Sequence, residues 1–140
     1  MDILELKVKF FKEPYLLQRN GDWFDLQSQV HVKYPAGVLV YIPLGVGMEL
    51  PEGYEAHILP RSSTIMKYGL IHVASGIIDN AYCGDNDQWN FVGYSINSGE
   101  VNIGDRICQF RLVKNMPQIL FKAVPTLDNP DRGGFGSSGR

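Results

Sequence analysis

The sequence predicts an all-β domain, either a sandwich, a jelly roll or a barrel, with one short helix. Short apolar runs that suit strands recur along the whole chain and are separated by turn-forming residues such as Asn20-Gly21 and Asn97-Ser98-Gly99. No window of about eleven residues keeps the apolar spacing of an amphipathic helix. The chain has 140 residues, of which 44% are hydrophobic, so one domain with a substantial core is expected.

The strand predictions begin near the amino end, where apolar and charged residues alternate from Leu4 to Phe10. This period of two is typical of a half-buried strand. Further strands are predicted at Val30–Lys33, Val38–Pro43, Glu55–Leu59, Ile71–Ala74, Asn90–Ile96, Ile107–Val113 and Ile119–Val124. The helix is predicted at Ser62–Lys67, where Ser62 or Ser63 is placed to cap its first turn.

The carboxyl end differs in composition from the rest of the chain. Residues 128–140 are rich in glycine and serine, and Phe135 is the one large apolar side chain beyond Pro130. Such a segment cannot offset its own ordering entropy by burial. We therefore predict a β domain at residues 1–127, followed by a flexible arm. The Arg132 guanidinium, the Phe135 ring and the glycine amides would suit an arm that orders on a phosphorylated ligand, and the alternative is a frayed terminus.

Charge and composition argue against several classes of function. The chain has 13 Lys and Arg against 15 Asp and Glu, a net charge of -2, which argues against binding nucleic acid through phosphate neutralisation. Neither the two cysteines nor the three histidines occur at metal-ligand spacing, so no structural zinc is expected. The longest mostly apolar stretch, Val38 to Met48, is interrupted by Pro43. We expect a cytoplasmic protein with no membrane partner.

The first candidate site is Pro60-Arg61-Ser62-Ser63, which follows a predicted strand and opens the predicted helix. Free amides at a helix start and a fixed guanidinium fork suit an anion. The alternative is a surface turn with capping serines.

A second candidate lies between Gly76 and Gly84, where Asp79 and Tyr82 follow an apolar run. An ionised carboxylate can act as general base on a water, and a tyrosine ring offers a flat face to a sugar or base. The alternative is a hairpin in which Asp79 forms an Asx turn.

Two further candidates are weaker by themselves. Arg106 and Gln109 are three apart on a predicted strand and can serve one site only if the strand bends or bulges. Asp25 follows an aromatic pair and could hold a hydrated magnesium ion, which prefers hard oxygen ligands and retained waters.

Taken in order, these segments resemble the five motifs of the homotrimeric dUTPase family, and most closely its short members from Gram-positive bacteria and their phages. The motifs are Asp25-Leu26, Pro60-Arg61-Ser62-Ser63, Gly76-Ile77-Ile78-Asp79 with Tyr82 and Gly84, Gly104-Asp105-Arg106 with Gln109, and Arg132 to Gly139. The resemblance implies a jelly-roll-like distorted β-barrel in a homotrimer. Its three active sites would be shared between subunits and closed by the arm at residues 128–140.

The activity implied by the resemblance is that of a dUTP diphosphatase with Mg²⁺, which keeps uracil out of DNA and supplies dUMP for thymidylate synthesis. Asp79 would activate water for attack on the α-phosphorus of dUTP, and Tyr82 would pack under the deoxyribose. Backbone groups from Val73 to Ile78 would read uracil. Ser62 and Gln109 are implied to be catalytic residues together with Asp79. The remaining residues implied to bind substrate are Arg61, Ser62, Ser63, Gly76, Arg106, Gln109, Arg132, Phe135, Gly136 and Ser137, and Asp25 would orient the magnesium waters.

Two alternatives follow from the same resemblance. A dCTP deaminase-like enzyme would share the fold, but it would need a glutamate after the third motif, and residues 85–99 contain none. A phage member of the family could also act by binding a regulatory protein. The polar stretch Asp85-Asn86-Asp87-Gln88-Trp89 is assigned no catalytic role.

Overall fold

The computed structural model describes residues 3–134 and shows a nearly all-β subunit with one short helix. The elements are β1 (Lys7–Phe10), β2 (Arg19–Asn20), β3 (Trp23–Gln27), β4 (Val32–Tyr34), β5 (Leu39–Pro43), β6 (Val46–Glu49), β7 (Tyr54–Pro60), α1 (Thr64–Tyr68), β8 (Leu70–Ala74), β9 (Ile77–Ile78), β10 (Asn90–Ser95), β11 (Gly99–Val101) and β12 (Arg106–Lys114). The predicted all-β class is confirmed.

The strands form four antiparallel sheets, of which the largest carries the candidate site. Its order is β2-β3-β12-β7-β9, and a second sheet has the order β5-β10-β8. Two small sheets pair β1 with β6 and β4 with β11. The third-motif hairpin therefore belongs to both larger sheets, since β8 lies in one and β9 in the other.

The core lies between the sheets and is built from alternating strand residues. On β5, Val40 and Ile42 are buried while Leu39 and Tyr41 are exposed, as expected of a strand with one face on the core. Trp89 is fully buried and meets the Phe110 ring edge-on, with ring centroids 5.2 Å apart.

Most predicted strands overlap observed ones, but the prediction at Ile119–Val124 is wrong. Residues 115–134, which we call the end segment, contain no strand or helix in the described part of the chain. Leu120 and Phe121 in it are 93% and 92% exposed. A strand needs a neighbour to share its hydrogen bonds, and this subunit places none beside the end segment.

The predicted helix is confirmed with shifted bounds, since it spans Thr64–Tyr68 and not Ser62–Lys67. It ends at Gly69, which has a φ of +65° and donates its N–H to the carbonyl of Ile65. A left-handed residue closes a helix in this way at low cost only when it is glycine. No helix among residues 3–134 is long and apolar enough to cross a membrane.

Candidate active site

Asp25, Arg61 and Arg106 form a compact group that we call the arginine cluster. The Asp25 carboxylate is 1% exposed and lies 3.3 Å from Arg61 Nε and 3.5 Å from Arg106 Nη1. Asn20 Nδ2 donates a hydrogen bond of 2.7 Å to Asp25 Oδ2. Two guanidiniums share one carboxylate, so the cluster carries one net positive charge and holds both forks in fixed positions.

A bulge in β12 brings Gln109 to the same place. The register with β3 shifts between Arg106 and Cys108, and Gln109 then lies opposite Asp25. Gln109 Nε2 donates to the carbonyl of Pro60, 3.3 Å away, next to Arg61. The sequence analysis required a bend or bulge in this strand for Arg106 and Gln109 to serve one site, and the structure has that bulge.

The start of α1 adds two exposed hydroxyls to this end of the sheet. Ser63 occupies the N-cap position, but its side chain makes no capping hydrogen bond. The helix start is held instead by buried Thr64, whose hydroxyl donates to the carbonyl of Ile107 over 2.7 Å. The prediction that a serine side chain caps the helix is therefore wrong. Ser62 and Ser63 are exposed beside Arg61.

A separate cavity of about 260 Å³ contains the third-motif residues. It is lined by Ser75, Ile77, Ile78, Asp79, Tyr82, Gln88, Trp89 and Asn90. Asp79 Oδ1 accepts the N–H of Ala81 over 2.7 Å, which is the predicted Asx turn. The described residues give Asp79 Oδ2 no hydrogen bond, so this oxygen is left for a ligand or a water. Tyr82 is 38% exposed beside it.

The hairpin between β8 and β9 forms one wall of this cavity and is packed closely from below. A side chain at Gly76 would meet the His72 ring at 2.7 Å and the carbonyl of Ile58 at 3.2 Å. Ile58 donates its N–H to the Gly76 carbonyl. Ser75, before it, has a φ of +61°, a strained conformation of the kind that concentrates at ligand sites.

His72 supports the hairpin from the core side. Its ring stacks on Phe91 with centroids 5.1 Å apart, and its Nε2 atom is buried without a hydrogen-bond partner. Burial lowers the pKa of His72, and a hydrogen bond with the Ala74 backbone opposes this effect. The neutral ring therefore packs under the hairpin at neutral pH.

The arginine cluster and the cavity lie at opposite ends of β7 within one subunit. Ile78, just before Asp79, pairs with Ala56, whereas Cys108 pairs with Pro60, just before Arg61. Four strand residues span about 13 Å. Asp79 and Arg61 therefore belong to two separate groups, about 13 Å apart along β7 within one subunit.

The sequence and the fold of this chain match those of known proteins. A family model described as dUTPase matches residues 18–139. The chain belongs to the dUTPase family. This makes it an enzyme, a dUTP diphosphatase, and confirms the resemblance seen in the sequence.

Relatives of this dUTPase occur in phages, bacteria and plants. A deoxyuridine 5'-triphosphate nucleotidohydrolase from the SPbeta prophage of Bacillus subtilis is 45% identical over 140 residues, which cover 97% of this chain and 99% of that protein. The enzyme of Arabidopsis thaliana is 36% identical, with 95% and 82% of the two chains covered. The prophage relative agrees with the predicted likeness to Gram-positive and phage members.

Solved structures confirm the jelly-roll-like dUTPase fold. A dUTPase of Staphylococcus bacteriophage 80alpha superposes with a TM-score of 0.74 at 22% identity, covering 96% of this chain and 98% of that one. A mutant dUTPase from phage phi11 of Staphylococcus aureus gives a TM-score of 0.74 at 20% identity, covering 89% and 99%. The phi11 structure is described as showing the coordination of a structural Mg(II) ion.

The described residues of this dUTPase form no metal site of their own. No group of three or more His, Cys, Asp or Glu residues among residues 3–134 is placed to hold a metal ion. The Asp25 carboxylate is buried against two arginines. The role predicted for Asp25 with magnesium stays a prediction.

The fifth motif of this dUTPase is described only in part. Arg132 is exposed, and Gly133 and Gly134 have φ values of +80° and +135°. Phe135, Gly136 and Ser137, predicted to bind substrate, lie outside the described residues. The boundary of the arm at residue 128 also stays a prediction.

Sequence reasoning missed two residues that position the site. Asn20 holds the buried Asp25 carboxylate, but the Asn20-Gly21 pair was interpreted only as a turn. Gln88 accepts the Tyr82 hydroxyl through its main-chain carbonyl, a contact for which its side chain gives no signal. The polar stretch around Gln88 is visible in the sequence, but nothing in it indicates a contact with Tyr82.

Proposed function

We propose that this dUTPase hydrolyses dUTP to dUMP and pyrophosphate by attack of an Asp79-activated water on the α-phosphorus. The observation that carries the proposal is that Asp79 and Tyr82 line one cavity, with Asp79 Oδ2 unpartnered among the described residues. An ionised carboxylate on the wall of a binding cavity is suited to accept a proton from water as it attacks. The reaction would keep uracil out of DNA by removing dUTP and would supply dUMP for thymidylate synthesis.

The phosphate chain is proposed to bind at the arginine cluster. Arg61, Arg106 and Gln109 present donors there, and the hydroxyls of Ser62 and Ser63 lie beside them. Arg132 from the arm would pair with the γ-phosphate. Fixed positive groups stabilise the charge that develops on transferring phosphoryl groups without reorganising during the reaction.

Uracil and deoxyribose are proposed to occupy the cavity of the third motif. Main-chain groups from Val73 to Ile78 would read the base, and the close packing of Gly76 against His72 supports this by limiting movement of the hairpin. Tyr82 would pack under the sugar and leave no space for a 2′-hydroxyl. Phe135 would stack on uracil, with Gly136 and Ser137 closing over the substrate.

A homotrimer with shared active sites is proposed, and the separation of the two groups of site residues within one subunit supports it. Asp79 and Arg61 lie at opposite ends of β7, whereas attack on phosphorus needs base and cationic groups around the same atom. Two apolar surfaces are available for the subunit contacts. They are the end segment and the exposed face of the β5-β10-β8 sheet, formed by Leu39, Tyr41, Ile71, Val73 and Tyr94.

Mg²⁺ is proposed to bind through the phosphate oxygens of dUTP, with Asp25 reaching it only through water. This is supported by the lack of a protein ligand cluster among residues 3–134 and by the preference of Mg²⁺ for phosphates and retained waters. The ion would neutralise charge on the phosphate chain. The cytoplasmic location and a regulatory protein partner stay predictions.

The test is incubation of the full chain with Mg²⁺ and dUTP, dCTP, dTTP or UTP separately, with chromatography of the products. The proposal expects dUMP and pyrophosphate from dUTP and no turnover of the other three nucleotides. Formation of dUTP from dCTP would identify the deaminase alternative instead. Turnover of none of them would refute hydrolysis and leave a nucleotide-binding scaffold.

A further inference from the structure

The segment Asp85–Trp89 lies directly behind the sugar-binding tyrosine of the proposed site. The main-chain carbonyl of Gln88 accepts a hydrogen bond of 2.9 Å from the Tyr82 hydroxyl and one of 3.1 Å from Asn90 Nδ2. At its other end, Tyr82 donates its N–H to the Asp79 carbonyl over 3.0 Å. The ring is therefore held both at its backbone and at its hydroxyl.

The Gln88 carbonyl is itself fixed by the fold. Gln88 Oε1 accepts the N–H of Gly45 over 3.0 Å. The next residue, Trp89, exchanges backbone hydrogen bonds with Val46 and Leu44, and its side chain is fully buried. The carbonyl that receives the Tyr82 hydroxyl is thus anchored on one side by an amide side chain and on the other by the core.

We propose that Gln88 is a positioning residue for Tyr82, and that the Asp85–Trp89 segment thereby sets the discrimination of this enzyme against ribonucleotides. The inference rests on the proposed function, in which Tyr82 packs under the deoxyribose. A ring excludes a 2′-hydroxyl only if it does not withdraw when the larger sugar enters. Specificity against a single extra hydroxyl is small when a pocket can relax. The rigidity of the Tyr82 ring therefore determines the preference for dUTP over UTP.

The chemistry of the contact explains why a main-chain carbonyl is used. The Tyr82 hydroxyl donates to a fixed acceptor, and the same carbonyl also receives the Asn90 amide, so both of its lone pairs are engaged. A side-chain acceptor would have rotamer freedom and would follow the ring. The Gln88 side chain instead accepts the Gly45 N–H, and this hydrogen bond holds the Asp85–Trp89 segment in place.

The test compares kcat/KM for dUTP and for UTP in wild-type protein, Gln88→Leu, Gln88→Glu and Tyr82→Phe. Gln88→Leu removes the acceptor for Gly45 and should lower the dUTP preference by about fivefold, the factor that one neutral hydrogen bond typically carries. Tyr82→Phe should lower the preference by a similar factor. Gln88→Glu keeps an acceptor oxygen and should restore the preference.

A double variant and a matched control separate positioning from general loosening. The effects of Gln88→Leu and Tyr82→Phe should be much less than multiplicative when combined, because both break the same support. Asn86→Ala lies in the same segment, where its exposed side chain makes no hydrogen bond within residues 3–134, and should leave the preference unchanged.

The outcomes distinguish this inference from the proposed function. A wild-type protein that does not hydrolyse dUTP would overturn both. A wild type that hydrolyses dUTP, together with an unchanged preference in Gln88→Leu or Tyr82→Phe, or with fully multiplicative effects in the double variant, would overturn this inference alone. Should Gln88→Leu fail to fold, as judged by its thermal unfolding, Tyr82→Phe and Gln88→Glu still decide it.

Discussion

Two inactive variants of this dUTPase are expected to restore each other's activity when their subunits mix. Asp79→Asn removes the proposed general base, and Arg61→Ala removes one fork of the arginine cluster. The two residues lie at opposite ends of β7 in one subunit, and in the proposed homotrimer a site draws them from different copies. A mixed trimer then contains sites in which neither substitution is present.

The size of the recovery follows from counting such sites. In the proposed homotrimer, each site takes Asp79 from one subunit and Arg61 from its neighbour around the threefold axis. Whether a mixed trimer holds one or two copies of Asp79→Asn, about one site in three has both residues intact. With random assembly of equal amounts, mixed trimers make up about three quarters of the total, so about a quarter of all sites work.

The assay is co-expression of the two variants with different affinity tags, purification on both tags in turn, and measurement of dUTP hydrolysis. Mixed trimers should show about a third of the wild-type kcat, with an unchanged KM. The matched control mixes Arg61→Ala with Arg106→Ala. Both residues belong to one arginine cluster, so every mixed site keeps a defect and no recovery is expected.

Two results would refute this reasoning. Mixed trimers of Asp79→Asn and Arg61→Ala with no activity above the separate variants would show that each site is formed within one subunit. Equal recovery in the Arg61→Ala and Arg106→Ala mixture would show that the arginine cluster does not act as a unit. Single tagged variants define the background for both comparisons.

Three further predictions concern single residues. Asp79→Asn should lower kcat by about a thousandfold while a non-hydrolysable dUTP analogue still binds in calorimetry, and near-normal turnover would remove Asp79 from the role of base. Asp25→Asn should lower the unfolding free energy by about 2 kcal/mol in thermal melts at fixed protein concentration, since it leaves Arg61 and Arg106 without a buried counterion but both are partly solvent-screened. Because burial lowers the pKa of His72, the unfolded chain binds this proton more readily, so stability should fall as the pH drops below about 6.5. His72→Phe should flatten that part of the pH profile in denaturant titrations, and an unchanged slope would contradict it.

Much of the fold was predictable because the strands obey local rules. The alternation on β5 reflects burial of one face of the strand, and the apolar runs of β7 and β12 reflect burial of larger parts of those strands. Both patterns can be identified in the sequence alone. The wrong strand at Ile119–Val124 has the same local signal. Its apolar residues pair with no strand among residues 3–134, and strand pairing depends on residues distant in sequence, which a local pattern does not contain.

The site was predictable in its residues but not in its arrangement. Arg61, Arg106 and Gln109 were named from motifs, and the β12 bulge that unites them was a stated condition. The burial of Asp25 between two arginines was not predicted, because an aspartate in an aromatic turn gives no sign of which cations approach it. The Gln88 contact to Tyr82 runs through a main-chain carbonyl, which no residue type in the sequence indicates.

Cleavage of the exposed end segment by a protease offers a way to detect whether a subunit is assembled. Lys122 lies within it, next to the exposed Phe121 and Leu120 and outside any helix or strand. Proteases cut extended, accessible backbone, so trypsin should cleave a free subunit after Lys122 and spare one whose end segment is covered by a partner.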